Sequence, residues 1–314
     1  MTSGSAPFEK TYCAETARHT VLASLVPVVR YPLEIWQHRY LVHNFFRREL
    51  LGRFRGSSLG LFWVLVHPIV MFAVYYLVFG YLFGNSKTGI APTPDYALYL
   101  FSGVIAFTAL NEGITRSCTC VVDNGNLVKK VAFPSELLPV PVILVSLVVY
   151  LVGALVCLGV GVYFGVLAPG WSLWLLPVVL LIQFAMTLGI GLFLANAYVF
   201  ARDTSHLWSI AATAWMFLTP VFWYPHALEG PIADGIKQMF AWNPAYPLLQ
   251  AHRIVLGAQP VSYSKEVDGV PKDMISDLGH LGDHLLHASL WALVFLCLGY
   301  AAFMSRRHKY ADLV

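Results

Sequence analysis

Apolar positions in this chain gather into six long blocks, at about 60–83, 96–115, 138–165, 171–200, 207–224 and 285–304. Most reach the roughly 20 residues that a helix needs to cross a hydrocarbon core, and the fifth is the shortest. The stretch before the first block has a different pattern. Leu41, Val42, Phe45, Phe46 and Leu50 share one broad helical face, while His43, Asn44, Arg47 and Arg48 fall largely opposite. That division suits a helix lying at a membrane surface. Arg53 and Arg55 follow where chain and bilayer meet, and Gly56 and Gly60 permit a tight re-aiming of the backbone. From Leu61 to Phe83 the only obviously polar interruption is His67, so this is a first span, with a kink expected at Pro68. The plainer reading of the same stretch is a positively flanked anchor helix.

Residues 1–35 are mixed and mildly polar. The apolar run 21–29 is too short to span, acidic Glu9 and Glu15 precede it, and no A-x-A site follows. A surface helix is therefore expected there in place of a cleaved signal peptide. The segment 225–284 is rich in aromatic residues and proline in its first half, among them Phe222, Trp223, Tyr224 and Pro225 at its start. Such a stretch can dip into the bilayer where its backbone is buried in protein or lines a watery cavity, or it can form an interfacial aromatic belt. Its second half, 261–277, is polar and is expected to be an exposed insertion.

Composition agrees with the blocks. Hydrophobic residues make up 58% of the 314 and charged residues 12%, against about 25% charged in ordinary globular domains. A soluble core cannot absorb that much apolar surface, so the bilayer is the solvent. A net charge of +3 is too small to imply nucleic acid. Placement of charge is more informative. An even number of spans puts both termini on one side, and that side collects fifteen of the lysines and arginines against five opposite. Both termini are therefore expected in the cytoplasm.

Candidate chemistry is sparse. Cys13, Cys118, Cys120, Cys157 and Cys297 are scattered, and Cys118 and Cys120 have no second pair or nearby histidines to complete a zinc site. His280, His284 and His287 share a helical face beside Asp283, and read either as zinc ligands or as the polar start of the last span. There is no G-x-S-x-G, H-E-x-x-H or glycine-rich dinucleotide fingerprint. The GNSKTG run at 84–89 departs from a phosphate loop, and it lies on the side away from cytoplasmic ATP. Ion-driven transport is disfavoured as well. The third, fourth and sixth spans carry no Asp, Glu, Lys or Arg, and Glu112 near the end of the second is expected to pair with Arg116.

The pattern R-x-R-G-S-x-L-G-x-x-W from Arg53, after the Arg47-Arg48-Glu49-Leu50 helix, resembles the permease subunits of type-2 ABC exporters, and most of all the branch exporting O-antigen, capsule or teichoic acid. The likeness recurs at 126–140, 200–206, 218–225, 242–257 and 306–314, so it covers roughly 36–314. It implies an all-α integral membrane protein: six transmembrane helices, an amphipathic cytoplasmic interface helix before them, and short re-entrant helices in the last external loop. The chain then divides into an extension (1–35), the interface helix and turn (36–58), the six-span domain (59–306) and a cytoplasmic tail (307–314).

By the same resemblance, Phe45, Arg47, Arg48 and Glu49 sit in a cleft of an ATP-binding subunit, and Lys129, Lys130, Phe133 and Pro134 belong to a second coupling element. Pro220, Trp223, Tyr224, Asn243 and Pro244 fall in the external gate. Arg53, Arg55, Lys129 and Lys130 can attract a lipid pyrophosphate, with ordinary anionic phospholipid as the competing ligand. Trp63, Phe72, Tyr76, Phe79 and Tyr99 are candidates to line a glycan channel, since Tyr and Trp offer a flat face with a polar tip; lipid contact or helix packing is the alternative.

Six spans without an internal repeat make a thin wall, so a homodimer with the path at its interface is expected, with two separate ATPase subunits. This chain is expected to bind no cofactor, ATP and magnesium belonging to the partner. The implied setting is the inner membrane of a bacterium, among membrane lipids, with a lipid-linked polysaccharide as cargo. Two alternatives are an exporter of a drug or other lipid, and a membrane enzyme acting on lipid-linked sugars.

Overall fold

The computed structural model describes residues 26–53, 56, 58–78, 94–130, 134–165, 167, 169–223, 235, 239, 240, 242–258, 261–267, 270–276 and 278–314. In chain order these form α1 (Val26–Gln37), α2 (Arg39–Gly52), α3 (Trp63–Tyr75), α4 (Pro94–Asp123), α5 (Gly125–Lys130), α6 (Pro139–Tyr163), α7 (Leu176–Phe200), α8 (Thr204–Leu218), α9 (Ala245–Val255), strands β1 (Val261–Val267) and β2 (Val270–Ser276), and α10 (Leu281–Arg306). Prolines open three of the long helices, where a missing N–H is harmless: Pro94 starts α4, Pro139 starts α6 and Pro177 lies in the first turn of α7. Gly56 and Gly60 both take positive φ, so the turn from α2 towards α3 uses the freedom glycine provides.

Four helical stretches are long and apolar enough to cross a membrane: Ala97–Asp123, Ser135–Tyr163, Trp171–Phe200 and Leu281–Lys309. They coincide with the second, third, fourth and sixth apolar blocks. The first and fifth blocks yield shorter helices, Trp63–Val78 and α8. At 1.5 Å per residue each of these is only about 22–24 Å long. The segment between the second and third apolar blocks is mostly helical among its described residues. α4 runs on through Arg116 to Asp123 and α5 follows after one residue.

The long helices pack through small residues. A Cβ on Gly299 of α10 would lie 1.9 Å from the Gly189 oxygen of α7, so the two backbones touch there. Gly113 of α4 meets Thr187 and Ser146, and Gly191 meets Ser117. Close approach of this kind replaces the hydrophobic drive that lipid cannot supply. One apolar cluster joins α4, α6, α7 and α9 around Phe107, Leu110, Tyr150, Met186 and Leu248.

A second cluster lies at the α2 end, around Tyr31, Val42, Leu138, Ile143 and Phe303. α1 belongs to it: Tyr31 donates to the Glu136 carbonyl at 2.6 Å, and its ring lies 5.0 Å from that of Tyr300. Arg307 pairs with the Glu136 carboxylate at 2.8 Å, and Tyr310 donates to Asn196 at 2.9 Å. Both described ends of the chain thus close on the start of α6. The apolar face of α2 is also turned inward. Val42 is buried and Leu41 and Phe45 pack on the same cluster, so that face meets protein, where the pattern alone pointed to lipid.

The all-α expectation needs one correction. β1 and β2 form an antiparallel hairpin, paired from Val261↔Ser276 to Val267↔Val270. The polar insertion is therefore an ordered ladder. Its sequence carries the cause, for two residues, Asp268 and Gly269, separate the strands, and Asp-Gly favours a two-residue hairpin turn.

Candidate functional site

One face of the C-terminal half of α4 is polar. Thr108, Asn111, Glu112, Thr115, Arg116 and Thr119 recur at three- and four-residue spacing and remain exposed or half-buried, while the positions between them are buried. The Thr115 hydroxyl donates to Asn111 at 3.3 Å, and Thr119 donates to Asp123 at 2.7 Å. Trp208 of α8 donates its indole N–H to Thr115 at 3.1 Å. On the other side, Thr108 and Glu112 border an open-sided cavity of about 250 Å³ between α3, α4 and α6, whose walls include His67, Met71, Tyr75 and Tyr150. The polar stripe thus lies between the two short helices. Hydroxyls and amides facing hydrocarbon are unfavourable, so such a stripe belongs against water or another protein surface.

A charged network holds the α2 end of the stripe. Arg53 pairs with Glu112 at 2.7 Å, Arg116 reaches the same carboxylate at 3.4 Å, and Arg116 also pairs with Glu49 of α2. Arg48 donates to Asn124 at 2.8 Å and lies over the Phe45 ring at 4.4 Å. Several residues expected to meet a partner or a lipid phosphate are thus engaged within the chain. Glu49, Arg48 and Arg53 tie α2 to α4, and Phe45 is half-buried. Arg47 and Lys129 are exposed, and Pro134 stands just ahead of a short 3-10 turn, Ser135–Leu137, that leads into α6. Arg55, Phe133 and the Lys130 side chain lie outside the described residues.

At the N-terminal end of α4, α9 packs across it. Arg253 is fully buried. Its Nη1 donates to the Tyr99 hydroxyl at 2.8 Å, the Pro220 carbonyl at 3.0 Å and Gln250 at 3.2 Å. Nη2 donates to the Val221 carbonyl at 3.0 Å and Nε to the Tyr99 carbonyl at 3.3 Å. Gly103 supplies the socket, since a Cβ there would lie 2.3 Å from Nη2. Asn243 forms a second clasp. It accepts from the Trp215 indole at 2.8 Å and from the Ala245 N–H at 3.1 Å, and it donates to Thr219 at 2.9 Å. Next to Arg253, His252 lies 2.6 Å from the Tyr150 hydroxyl on α6, and burial pushes its pKa down to about 3, so the ring is neutral.

Of the residues expected in the external gate, Pro220 and Asn243 take part in these hydrogen bonds and Pro244 caps α9. Trp223 accepts at its carbonyl from Tyr99 at 3.4 Å and stacks obliquely on Phe240 at 5.3 Å. Tyr224 lies outside the described residues. The channel candidates separate. Trp63 is exposed, Phe72 and Tyr76 stack at 6.1 Å, and Phe79 lies outside the described residues. Tyr99 does not line an open path, because it is buried beneath Arg253 with the guanidinium 3.6 Å from its ring centre. Arg253 falls within the long segment between the fifth and sixth apolar blocks, and its spacing from Ala245, Leu249 and Leu256 on one helical face is the sequence signal that it is buried. Of the three histidines at the start of α10, His284 meets the Leu278 carbonyl and His287 the Asp283 carbonyl, both at 2.8 Å, and the described residues hold no cluster of three or more metal-ligating groups.

A family model for the ABC-2 type transporter matches residues 40–256, from the start of α2 through α9. The chain is similar to the O-antigen export system permease protein RfbA of Myxococcus xanthus, 29% identical over 228 residues, which is 73% of this chain and 84% of that protein. It is also similar to a protein of the same name from Klebsiella pneumoniae, 22% identical over 200 residues, 63% of this chain and 71% of the relative.

Proposed function

The chain belongs to the ABC-2 type transporter family, and from that premise we propose that it is the transmembrane subunit of an ATP-driven exporter of lipid-linked polysaccharide. The observation that carries the cargo is the extended similarity to O-antigen export permeases, over 73% of the chain for the Myxococcus xanthus relative. The α4 stripe supports it chemically. Threonine hydroxyls and an asparagine amide can exchange hydrogen bonds with a passing sugar chain or its water without binding tightly, and aromatic α3 and α8 flank them.

In this reading α3 and α8 complete six spans, and both termini are cytoplasmic. Removing buried Arg253 from the loop charges leaves the asymmetry larger, at fifteen against four. The exposed polar face of α2, with His43 and Arg47, and exposed Lys129 on α5 dock on a separate ATP-binding subunit that holds ATP and magnesium. Movement of α2 then passes to α4 through the Arg48–Asn124, Glu49–Arg116 and Arg53–Glu112 contacts. Two copies enclose the path, with the α4 stripes facing it, in the inner membrane of a bacterium. The carrier lipid is a polyprenyl pyrophosphate, and α9 with the segment before it closes the outer mouth.

The test is deletion of the gene followed by assay of lipid-linked glycan on each side of the membrane. The expected result is intact polymer retained on the cytoplasmic leaflet with none at the surface. Normal surface glycan would remove the cargo assignment and leave a drug or lipid exporter. A shortened or chemically altered glycan would point to an enzyme acting on lipid-linked sugars.

A further inference from the structure

Resting on that reading of the outer closure, we infer that α9 is no flap: Arg253 is a positioning residue that latches α9, the outer part of α4 and the turn after α8 into one block, and the closure opens by moving that block whole. Arginine suits the task because its planar fork presents five donors in fixed directions, and here they reach two other chain segments, α4 and the turn after α8. A guanidinium this deep stays charged, and those acceptors take the place of the water it has lost. Swinging α9 away would strip the Tyr99, Pro220 and Val221 oxygens from it in one movement and leave a buried charge without them. Displacing the whole block leaves every one of those bonds intact, and so is the motion of lower barrier.

Three further observations agree. Gly103 has no side chain where the guanidinium lies, so α4 is shaped to receive it. Adjacent His252 holds Tyr150 of α6 while Arg253 holds α4, so the C-terminal half of α9 is fastened to two helices at once. Asn243 fastens the N-terminal end of α9 to Trp215 and Thr219 at the end of α8. Both ends of α9 are therefore fastened within the block, and the part of α6 around Tyr150 moves with it.

Leu100 of α4 and Ile254 of α9 pack in one cluster beside the latch, and they supply the test. In a chain whose native cysteines are replaced, Leu100→Cys and Ile254→Cys are joined by a short, cleavable thiol cross-linker in cells that also hold the partner ATPase. Surface glycan is then measured before joining, after joining and after cleavage. The latch predicts that export persists in the joined state. Loss of surface glycan to the level of the deletion strain, recovered on cleavage, would overturn it. A wild-type chain that exports no glycan in these cells would instead remove the transport reading itself, so the two failures are distinguishable. A second arm places Thr115→Cys on the stripe and labels it from outside with a membrane-impermeant thiol reagent in the absence of ATP. With Arg253 present the thiol is expected to be protected; with Arg253→Gln, labelling per assembled complex rises. Unchanged labelling per complex would reduce Arg253 to a packing role and overturn the inference.

Discussion

Glu112 on the polar face of α4 is a carboxylate shared by two arginines, with Arg53 at 2.7 Å and Arg116 at 3.4 Å. Its side chain is 19% exposed, and water reaches the group. Screening keeps the energy of such pairs small. Glu112→Gln is therefore expected to lower stability by only about 1 kcal/mol, read as a modest fall in the melting temperature of the purified complex. Its effect on export is expected to be larger than its effect on stability, because the ion pair is one of the ties through which α2 moves α4. A double-mutant cycle of Arg53→Gln with Glu112→Gln checks this: strongly non-additive export rates are expected if the two residues act through one contact. His252 gives a pH signature of the opposite end. Its folded pKa of about 3 lies below the ordinary 6.5, so the unfolded chain binds the extra proton between those values. Stability from this group is complete above about pH 6.5 and is lost as pH falls towards 3. Replacing it with glutamine is expected to flatten that part of an acid-unfolding profile relative to wild type.

At this scale legibility was uneven. The Glu112–Arg116 pairing follows from i, i+4 spacing, a local relation. Arg53 and Glu49 joining the same cluster depends on how α2 lies against α4, which no spacing encodes.

Among the elements, the tightest join is between α7 and α10, where Gly189 and Gly299 let the backbones touch. A methyl on Gly299 would strike the Gly189 carbonyl, and one on Gly189 would lie 2.3 Å from the Phe295 backbone carbon. Neither obstacle is a flexible side-chain tip, so the helices themselves must separate. Gly299→Ala is expected to destabilise by about 1–3 kcal/mol, as overpacking does, and to reduce the amount of folded chain in the membrane. Gly170→Ala, with nothing within 4 Å of the added carbon, serves as the comparison and is expected to change little. The four long helices were legible because length and hydropathy alone define them. The continuation of α4 through Arg116 to Asp123 was not, because a helix does not stop where hydrophobicity does. The hairpin is signalled by Asp268-Gly269 between two alternating runs, whereas the polarity of 261–277 speaks only to its exposure. For α2 the amphipathic pattern was correct, and only its partner differed. A moment identifies a face that needs cover without saying whether lipid or protein supplies it.

For the molecule as a whole, the decisive feature is an imbalance of packing. α4 is embraced by α6, α7 and α9, whereas α3 and α8 rest on it more lightly and leave Ile69, Val70, Leu207, Ile210 and Phe217 exposed. Between those two helices lies the polar stripe, whose hydroxyls and charges are poorly suited to lipid. α10 also leaves apolar residues outward, including Leu290, Leu293 and Leu298, and among the described residues no comparable polar row runs beside them, so hydrocarbon is an adequate neighbour. A second copy is therefore expected to meet the α3–α8 side and to leave that face of α10 to lipid. Single cysteines at Val70 and Ile210 in an otherwise cysteine-free chain are expected to give cross-links between copies in membranes, and a cysteine at Leu290 to give none. Efficient cross-linking at Leu290 with none at the other two would place the interface on α10. It would also leave the α4 stripe facing lipid in each copy, an arrangement that the row of Thr108, Asn111, Thr115 and Thr119 argues against. The sequence alone could motivate a dimer from the thinness of a six-span wall, but not this choice of side. That choice depends on which helices are neighbours, a property of packing that the order of spans along the chain does not contain.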